Sequence, residues 1–389
     1  MATRFMRRLR AALCAGLVGC GGTSMPEAPV DAEDGPVLAE REDAVRAAAC
    51  GVPALKRARE MASAEGDLCT GAVGDDEGYL ALGTFNPGSR MTGWRMVSPD
   101  GTPLGGLGST LQTSLLPQPR GFHAITWDGL REAELSVYSR SAERLRETTV
   151  LDPEHSPGRA AAAVDPAGGT LVVTSESVDE DHWRVMARRY DTAGQLISGP
   201  RRVAKGQGPD APFVYAAVDL KGRSLVLWDT SVAGQEPHVL RARWLNRDGT
   251  AVTPEFVASV ETRPAGPPRI SPLIGGGVAL GRGNAWLALL PNRASVPAPV
   301  PAWLAEHPTG RLHVLRNGRG YAVLPPRSYA PVCEQTVTLL GPDGATCGAL
   351  RVPISPCQPA NLESGRDGTL LQTLGGDRCT LRWWPRQLR

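Results

Sequence analysis

The residues of this 389-residue chain with the most chemistry to offer are eight cysteines and six histidines. A zinc site needs several of them at short spacing, as C-x-x-C or as histidines one helical turn apart. None of His123, His155, His182, His238, His307 and His313 has another histidine two, three or four positions away, and no C-x-x-C occurs. A G-x-S-x-G nucleophile elbow and a Walker loop are missing too. The glycines of Gly275–Gly283, GGGVALGRG, follow no strand-to-helix transition, so they read as a turn and a strand, not as a phosphate cradle. Two polar clusters stand out: SVDEDHW at Ser177–Trp183 and GDDEG at Gly74–Gly78. Asp179, Glu180, Asp181 and His182 could surround a cation with oxygen ligands. The same composition describes solvated hairpin tips, which is the expectation for both clusters. Acid–base catalysis needs paired carboxylates at a set distance across space, and neighbours on one loop do not establish it. No catalytic residue, metal ligand or cofactor site is assigned. Nine Trp against five Phe, spread along the chain, are expected to fill wide gaps between sheets; a carbohydrate platform is the competing role.

The cysteines lead to the address of the protein. Arg4, Arg7, Arg8 and Arg10 precede the apolar run Ala11–Gly19, which is far short of the roughly 20 residues that span a bilayer. A basic start, a short apolar core and small residues before a cleavage point describe an export signal. Leu17-Val18-Gly19-Cys20 resembles the lipobox of bacterial lipoproteins. The resemblance implies a diacylglycerol thioether on Cys20, cleavage that removes residues 1–19, and acylation of the new N-terminus by palmitate-type chains. Several acyl chains, at about 0.8 kcal/mol per buried methylene, anchor a protein firmly. Inner-membrane retention in that family is associated with Asp after the cysteine; Gly21 stands there, which implies the outer membrane. Residues 20–49 are rich in Gly, Pro, Ala and acids, too polar to offset their ordering entropy, and read as a flexible tether with a short helix over Ala39–Ala49.

Six cysteines remain for the exported body: Cys50, Cys69, Cys333, Cys347, Cys357 and Cys379. An even number outside the cytoplasm predicts disulfides, with fifteen connectivities open. They gather at the two ends of the body, which suits a fold whose ends must be held together. The formal charge is +2 and no basic patch stands out, so nucleic acid is not an expected partner.

The elements that would carry any site are repeats. Ala161–Gly208 aligns with Tyr215–Thr262, each a series of short strands broken by Asp/Gly turns. The second of these turns recurs at Gly101, Gly194, Gly249 and Gly344, with the first and third gaps about double the second. SRSAERL near Glu143 and PNRASVP near Ala294 fall where degenerate copies belong, giving units of roughly 42 to 55 residues. A seventh unit begins near Asn361 and lacks its last strand. Pro53–Gly66 could supply it, with a helix as the rival reading of that segment. Four-stranded units repeated seven times over Thr70–Arg389, within an expected domain of residues 50–389, resemble β-propeller blades. Six or eight blades, or two stacked β-sandwiches, are the alternatives. WD40, kelch and calcium-loop signatures are absent. The expected function is a lipid-anchored, non-catalytic envelope protein that binds a protein or glycan; the alternative is a hydrolase or lyase with acidic residues in the central channel.

Overall fold

The computed structural model describes residues 51–389 except 110–111, 128–132, 152–155, 209, 231–237, 262–266 and 294–297. The signal, Cys20, the tether with its expected helix, Cys50 and His155 lie outside the described residues. Cys50–Arg389 form one compact unit.

That unit is all-β and built of antiparallel up-and-down sheets. β2 (Leu68–Gly74), β3 (Leu80–Asn86), β4 (Met91–Val97) and β5 (Pro103–Ser109) form the first sheet, in chain order. The second runs from β6 (Gln112–Gln118) through β7 (Gly121–Trp127) and β8 (Ala133–Tyr138) to β9 (Arg144–Thr149). The third comprises β10 (Ser156–Val164), β11 (Thr170–Ser177), β12 (His182–Tyr190) and β13 (Leu196–Gln207). The fourth comprises β14 (Val214–Val218), β15 (Ser224–Asp229), β16 (His238–Leu245) and β17 (Phe256–Glu261).

Two later units depart from the expected pattern. The fifth sheet has three strands, β18 (Arg269–Pro272), β19 (Val278–Arg282) and β20 (Ala285–Leu289), in place of four. Pro299 and Pro301 supply no amide donors where a fourth strand would pair. A single bridge, Ala288 to Ala298, and the short helix α1 (Ala302–Ala305) take its place. The remaining strands share one sheet: β21 (Arg311–Val314), β22 (Tyr321–Leu324), β23 (Ser328–Leu340), β24 (Thr346–Ser364), β25 (Leu370–Leu374) and β26 (Arg378–Trp384). The first part of β24 pairs with β23, and its end, Ala360–Ser364, pairs with β25. One continuous strand thus ends one four-stranded group and begins the next. The last place in that sheet belongs to β1 (Arg59–Glu65), which pairs with β26 in the register Arg59 to Trp383. Pro53–Gly66 therefore contributes a strand, and the rival helix is not formed.

First strands of successive sheets touch: β2 meets β6, β6 meets β10, β10 meets β14, β14 meets β18, β18 meets β21, and β24 meets β2. Between the sheets lie separate apolar clusters, one of them joining Leu225, Leu227, Trp244 and Phe256 to Val278 and Leu280 of the next sheet. Trp228, Trp244 and Trp383 are among the largest fully buried side chains, so most tryptophans fill inter-sheet space as expected. Their N–H groups are less well served: Trp183 donates to Gln207 and Trp286 to His307, but the indole nitrogens of Trp94, Trp127, Trp244 and Trp383 are buried without a partner.

The glycines of the recurrent turn, Gly101, Gly194, Gly249 and Gly344, all have positive φ. In the degenerate copy Ala142 takes the glycine's place and still adopts a φ of 66°. Disulfides join Cys69 to Cys379, 310 residues apart, and Cys333 to Cys357. Cys347 is disulfide-bonded as well.

Candidate binding site

Each sheet presents two ends. On one, the turns between first and second strands lie beside those between third and fourth; we call this the turn face. Asp residues build it by capturing amides of their own turn. Asp75 Oδ1 accepts from Glu77 and Tyr79, and Asp219 Oδ1 from Lys221 and Arg223. The second carboxylate oxygen then reaches an arginine: Asp75 binds Arg140 at 2.6 Å, Asp165 binds Arg189 at 2.6 Å and Arg247 at 3.2 Å, and Asp219 binds Arg223 at 2.7 Å. GDDEG is therefore more than a charged tip. Asp75 is fully buried, and burial pushes its carboxyl pKa up against the opposing pull of Arg140 and the turn amides.

Arg366, from the turn after β24, crosses the inside of this face. Its guanidinium binds Asp76 of the first sheet and reaches the carbonyls of Asp165 and Pro166 of the third. The second sheet has only the short Pro119-Arg120 turn in between, which leaves room for that span. His123 is buried here too, bonded to Thr170 and to the Thr192 carbonyl, with its pKa lowered by burial. The charges of this face satisfy one another and leave little for a ligand.

The inner strands tell a different story. Four residues before the first turn, successive sheets place Gly71, Ala161, Tyr215, Arg269, Arg311 and Asn361 at equivalent positions; two residues before it stand Val73, Ala163, Ala217, Ser271, His313 and Glu363. At these two positions polar side chains stand only on β14, β18, β21 and β24. Arg311 donates to Glu363 at 2.5 Å, to Asn361 at 2.7 Å and to the Leu362 carbonyl. Ser271 donates to the Leu312 carbonyl. His313 keeps part of its surface open but is crowded by protein atoms; desolvation lowers its pKa to about 4, so it is neutral at pH 7. Tyr215 has its pKa raised, chiefly by burial, beside Arg282, which grips Glu261 at 2.6 Å.

At the opposite end, the loop face, three arginines differ from all of these. Arg159 lies over Phe213 at 4.3 Å and Trp127 at 5.5 Å. Arg269 lies over Trp286 at 4.8 Å and donates only to the carbonyls of Gly283 and Pro308. Arg327 lies over Tyr329 at 5.1 Å and donates to the carbonyls of Cys69 and Thr70. None of the three has a carboxylate within salt-bridge reach among the described residues. Arg159 and Arg269 stand near the starts of the inner strands β10 and β18, and Arg327, between β22 and β23, reaches the start of β2. Tyr329 beside them is 80% exposed, on the β23–β24 ribbon stapled by Cys333–Cys357.

SVDEDHW forms the expected hairpin loop, in which His182 pairs with Asp179 at 2.8 Å. Among the described residues no group of three or more His, Cys, Asp or Glu could hold a metal ion. Gly275–Gly277 form a turn leading into β19, as read from sequence. Sequence reading does not single out the stacked arginines; for Arg159 and Arg269 the signal is an arginine near the start of an inner strand, visible only once the strands are placed, and for Arg327 there is none.

No family model and no curated protein matches this chain. Among solved structures it is similar to the polysaccharide lyase Uly1, at 9% identity and a TM-score of 0.51, covering 86% of this chain and 100% of the lyase. It is also similar to prolyl oligopeptidase B from Galerina marginata, at 12% identity and a TM-score of 0.48, covering 90% of this chain and 52% of that one. The chain thus spans about half the length of the oligopeptidase. At these identities the likeness concerns fold alone, and the match to the lyase accords with a β-propeller-like arrangement of sheets.

Proposed function

We propose that this chain is a lipid-anchored envelope protein whose seven-bladed β-propeller, closed by β1, binds an anionic glycan or an acidic protein segment at its loop-face mouth. The lipobox around Cys20 supports the anchor, and Gly21 favours the outer membrane. The ring reading draws on the contacts between first strands and on the β1–β26 pairing. One observation carries the binding assignment: Arg159, Arg269 and Arg327 are each stacked on an aromatic ring and lack a carboxylate among the described residues. A guanidinium held over a ring face and bonded at most to neutral carbonyls keeps its charge unpaired and is positioned to bind carboxylate or sulfate. With Arg366 across the turn face, a ligand of the channel would enter from the loop face.

A hydrolase or lyase in the channel is the second reading. Arg311, His313 and Glu363, on the consecutive inner strands β21 and β24, favour it, with Tyr215 two inner strands away on β14. Against it, Glu363 is already engaged by Arg311 and Asn361.

The mature chain should be titrated with carboxylated, sulfated and neutral polysaccharides at several salt concentrations, and the products sized. The binding reading expects salt-sensitive retention of anionic chains, weakened at least about tenfold by Arg269→Ala with Arg327→Ala, and no cleavage. Equal binding of neutral and anionic chains would refute it, and shortening of a polysaccharide would establish the second reading. Labelled palmitate incorporation that persists in Cys20→Ala would refute the anchor.

A further inference from the structure

In the second, third and fourth sheets the turn between third and fourth strands leans on the sheet before it, so the three seams can be compared. In the seam of the first and second sheets, Gly105 lies against the Ser141 carbonyl, and an added Cβ would stand 2.5 Å from it. In the seam of the third and fourth, Ser198 Oγ donates to the Asp248 carbonyl at 2.6 Å, and the cavity beside Gly249 is only about 10 Å³. The seam of the second and third sheets stays open. Its turn, Asp191–Gln195, touches the second sheet through Gly194, where an added Cβ would stand 2.5 Å from Val137 Cγ2 and 3.5 Å from Arg146 Cδ. Beside that contact lies a cavity of about 630 Å³, within the roughly 300–1,000 Å³ of small-molecule sites.

The inner part of the turn face, where Arg366 crosses it, has its charges paired; this groove lies farther out, between β9 and the β12–β13 turn. Its lining is largely aliphatic: Pro119 of the β6–β7 turn, Val137 of β8, Leu145 of β9 and Ala193. Leu145 is 60% exposed, so apolar surface faces water here. Arg120 and Arg146 supply the charge, and no carboxylate is among the lining residues. Arg120 stands 3.7 Å from Glu77, which Arg140 already holds at 2.9 Å. Arg146 is exposed and has no hydrogen bond or ion pair with a described residue. Of the nearby carboxylates, Glu147 is bound by Arg144, Asp191 Oδ1 accepts from the amides of Ala193 and Gln195, and Glu143 pairs with neither arginine.

We infer that this groove binds an aliphatic carboxylate, a fatty acid or a molecule of that chemistry. The lining selects the class. Both arginines repel a cation. A sugar ring is held by acceptors and donors together, often against an aromatic face; the side chains here offer guanidinium donors, the Thr192 hydroxyl and no ring. An inorganic anion would pair the arginines and leave the aliphatic wall in water. A neutral aliphatic molecule would cover Leu145 and leave Arg146 without a counter-charge. A carboxylate on an aliphatic body serves both, with charge-assisted hydrogen bonds at its head and apolar surface removed from water along its length. The groove lies at the opposite end of the sheets from Arg159, Arg269 and Arg327, so it stands or falls independently of the loop-face reading.

The test is isothermal titration calorimetry of the protein with decanoate, kept below its micelle-forming concentration, and with octanoate, octanol and acetate for comparison. Decanoate should bind saturably with a dissociation constant below about 1 mM. Octanoate should bind at least about threefold more weakly, since full burial of two methylenes corresponds to about fifteenfold. Octanol, with the chain of octanoate and no charge, should bind at least about fivefold more weakly than octanoate, and acetate should not bind detectably. Arg120→Gln with Arg146→Gln should weaken decanoate at least about fivefold, and Ala193→Trp should abolish its binding by filling the groove. All three substituted residues are exposed, and both variants should keep the near-UV circular dichroism of the parent. No saturable binding of decanoate, binding of octanol as tight as that of octanoate, or undiminished binding by either variant would overturn the assignment.

Discussion

Asp165 is the residue whose loss should cost the fold most for one substitution outside the apolar core. Its carboxylate is 1% exposed by residue and binds Arg189 at 2.6 Å and Arg247 at 3.2 Å, while Oδ1 accepts from the Ala167 amide. Arg189 is 3% exposed and continues to the Gly222 carbonyl of the fourth sheet, and Arg366 reaches the Asp165 carbonyl from the far side. Asp165→Asn keeps the shape and the turn acceptor but leaves the buried Arg189 guanidinium without its counter-charge. Removing one partner of a buried pair costs about 3–5 kcal/mol, because the other charge stays desolvated. Arg247 is 57% exposed, and an exposed pair is worth about 0–1 kcal/mol, so Arg247→Ala should cost no more than that. Urea unfolding of the protein, followed by tryptophan fluorescence, measures both. The cycle Asp165→Asn with Arg189→Met should give a coupling above about 1 kcal/mol, since the double variant strands no charge. A cost for Asp165→Asn as small as that of Arg247→Ala, or a coupling indistinguishable from zero, would refute the account of this face as a set of mutually dependent buried pairs.

Three further outcomes are expected. Chain-entropy arguments give an upper bound of about 5–6 kcal/mol for the 310-residue loop of Cys69–Cys379 and about 3–4 kcal/mol for the 24-residue loop of Cys333–Cys357, so the Cys69→Ser/Cys379→Ser pair should lower the thermal midpoint more than the Cys333→Ser/Cys357→Ser pair. His313, whose pKa falls from an ordinary 6.5 to about 4 in the folded state, contributes stability that is fully present above pH 6.5 and is lost as pH falls through 4; His313→Gln should flatten the stability curve between those values by at most about 3 kcal/mol, read from urea midpoints at each pH. Ala142→Gly should stabilise the chain by about 1 kcal/mol, because it relieves a left-handed backbone at φ 66°, and an unchanged or lower urea midpoint would contradict this.

Local signals in the sequence determined the repeat and its turns. Alternating short strands and Asp-Gly turns impose hairpins whatever surrounds them, because amide capture by Asp and positive φ at Gly are satisfied within a few residues. The same logic placed SVDEDHW on a loop and most tryptophans inside. The resemblance of Leu17–Cys20 to a lipobox is likewise legible in consecutive residues alone. Tertiary structure decided the rest, because the deciding contacts join positions hundreds of residues apart. Only in three dimensions does β1 find β26, Cys69 find Cys379, and Arg366 span three sheets. The turn-face arginines are taken up by carboxylates of their own or another sheet, whereas Arg159, Arg269 and Arg327 meet none among the described residues. A sequence states which groups exist; which of them remain unsatisfied depends on what the fold brings beside them.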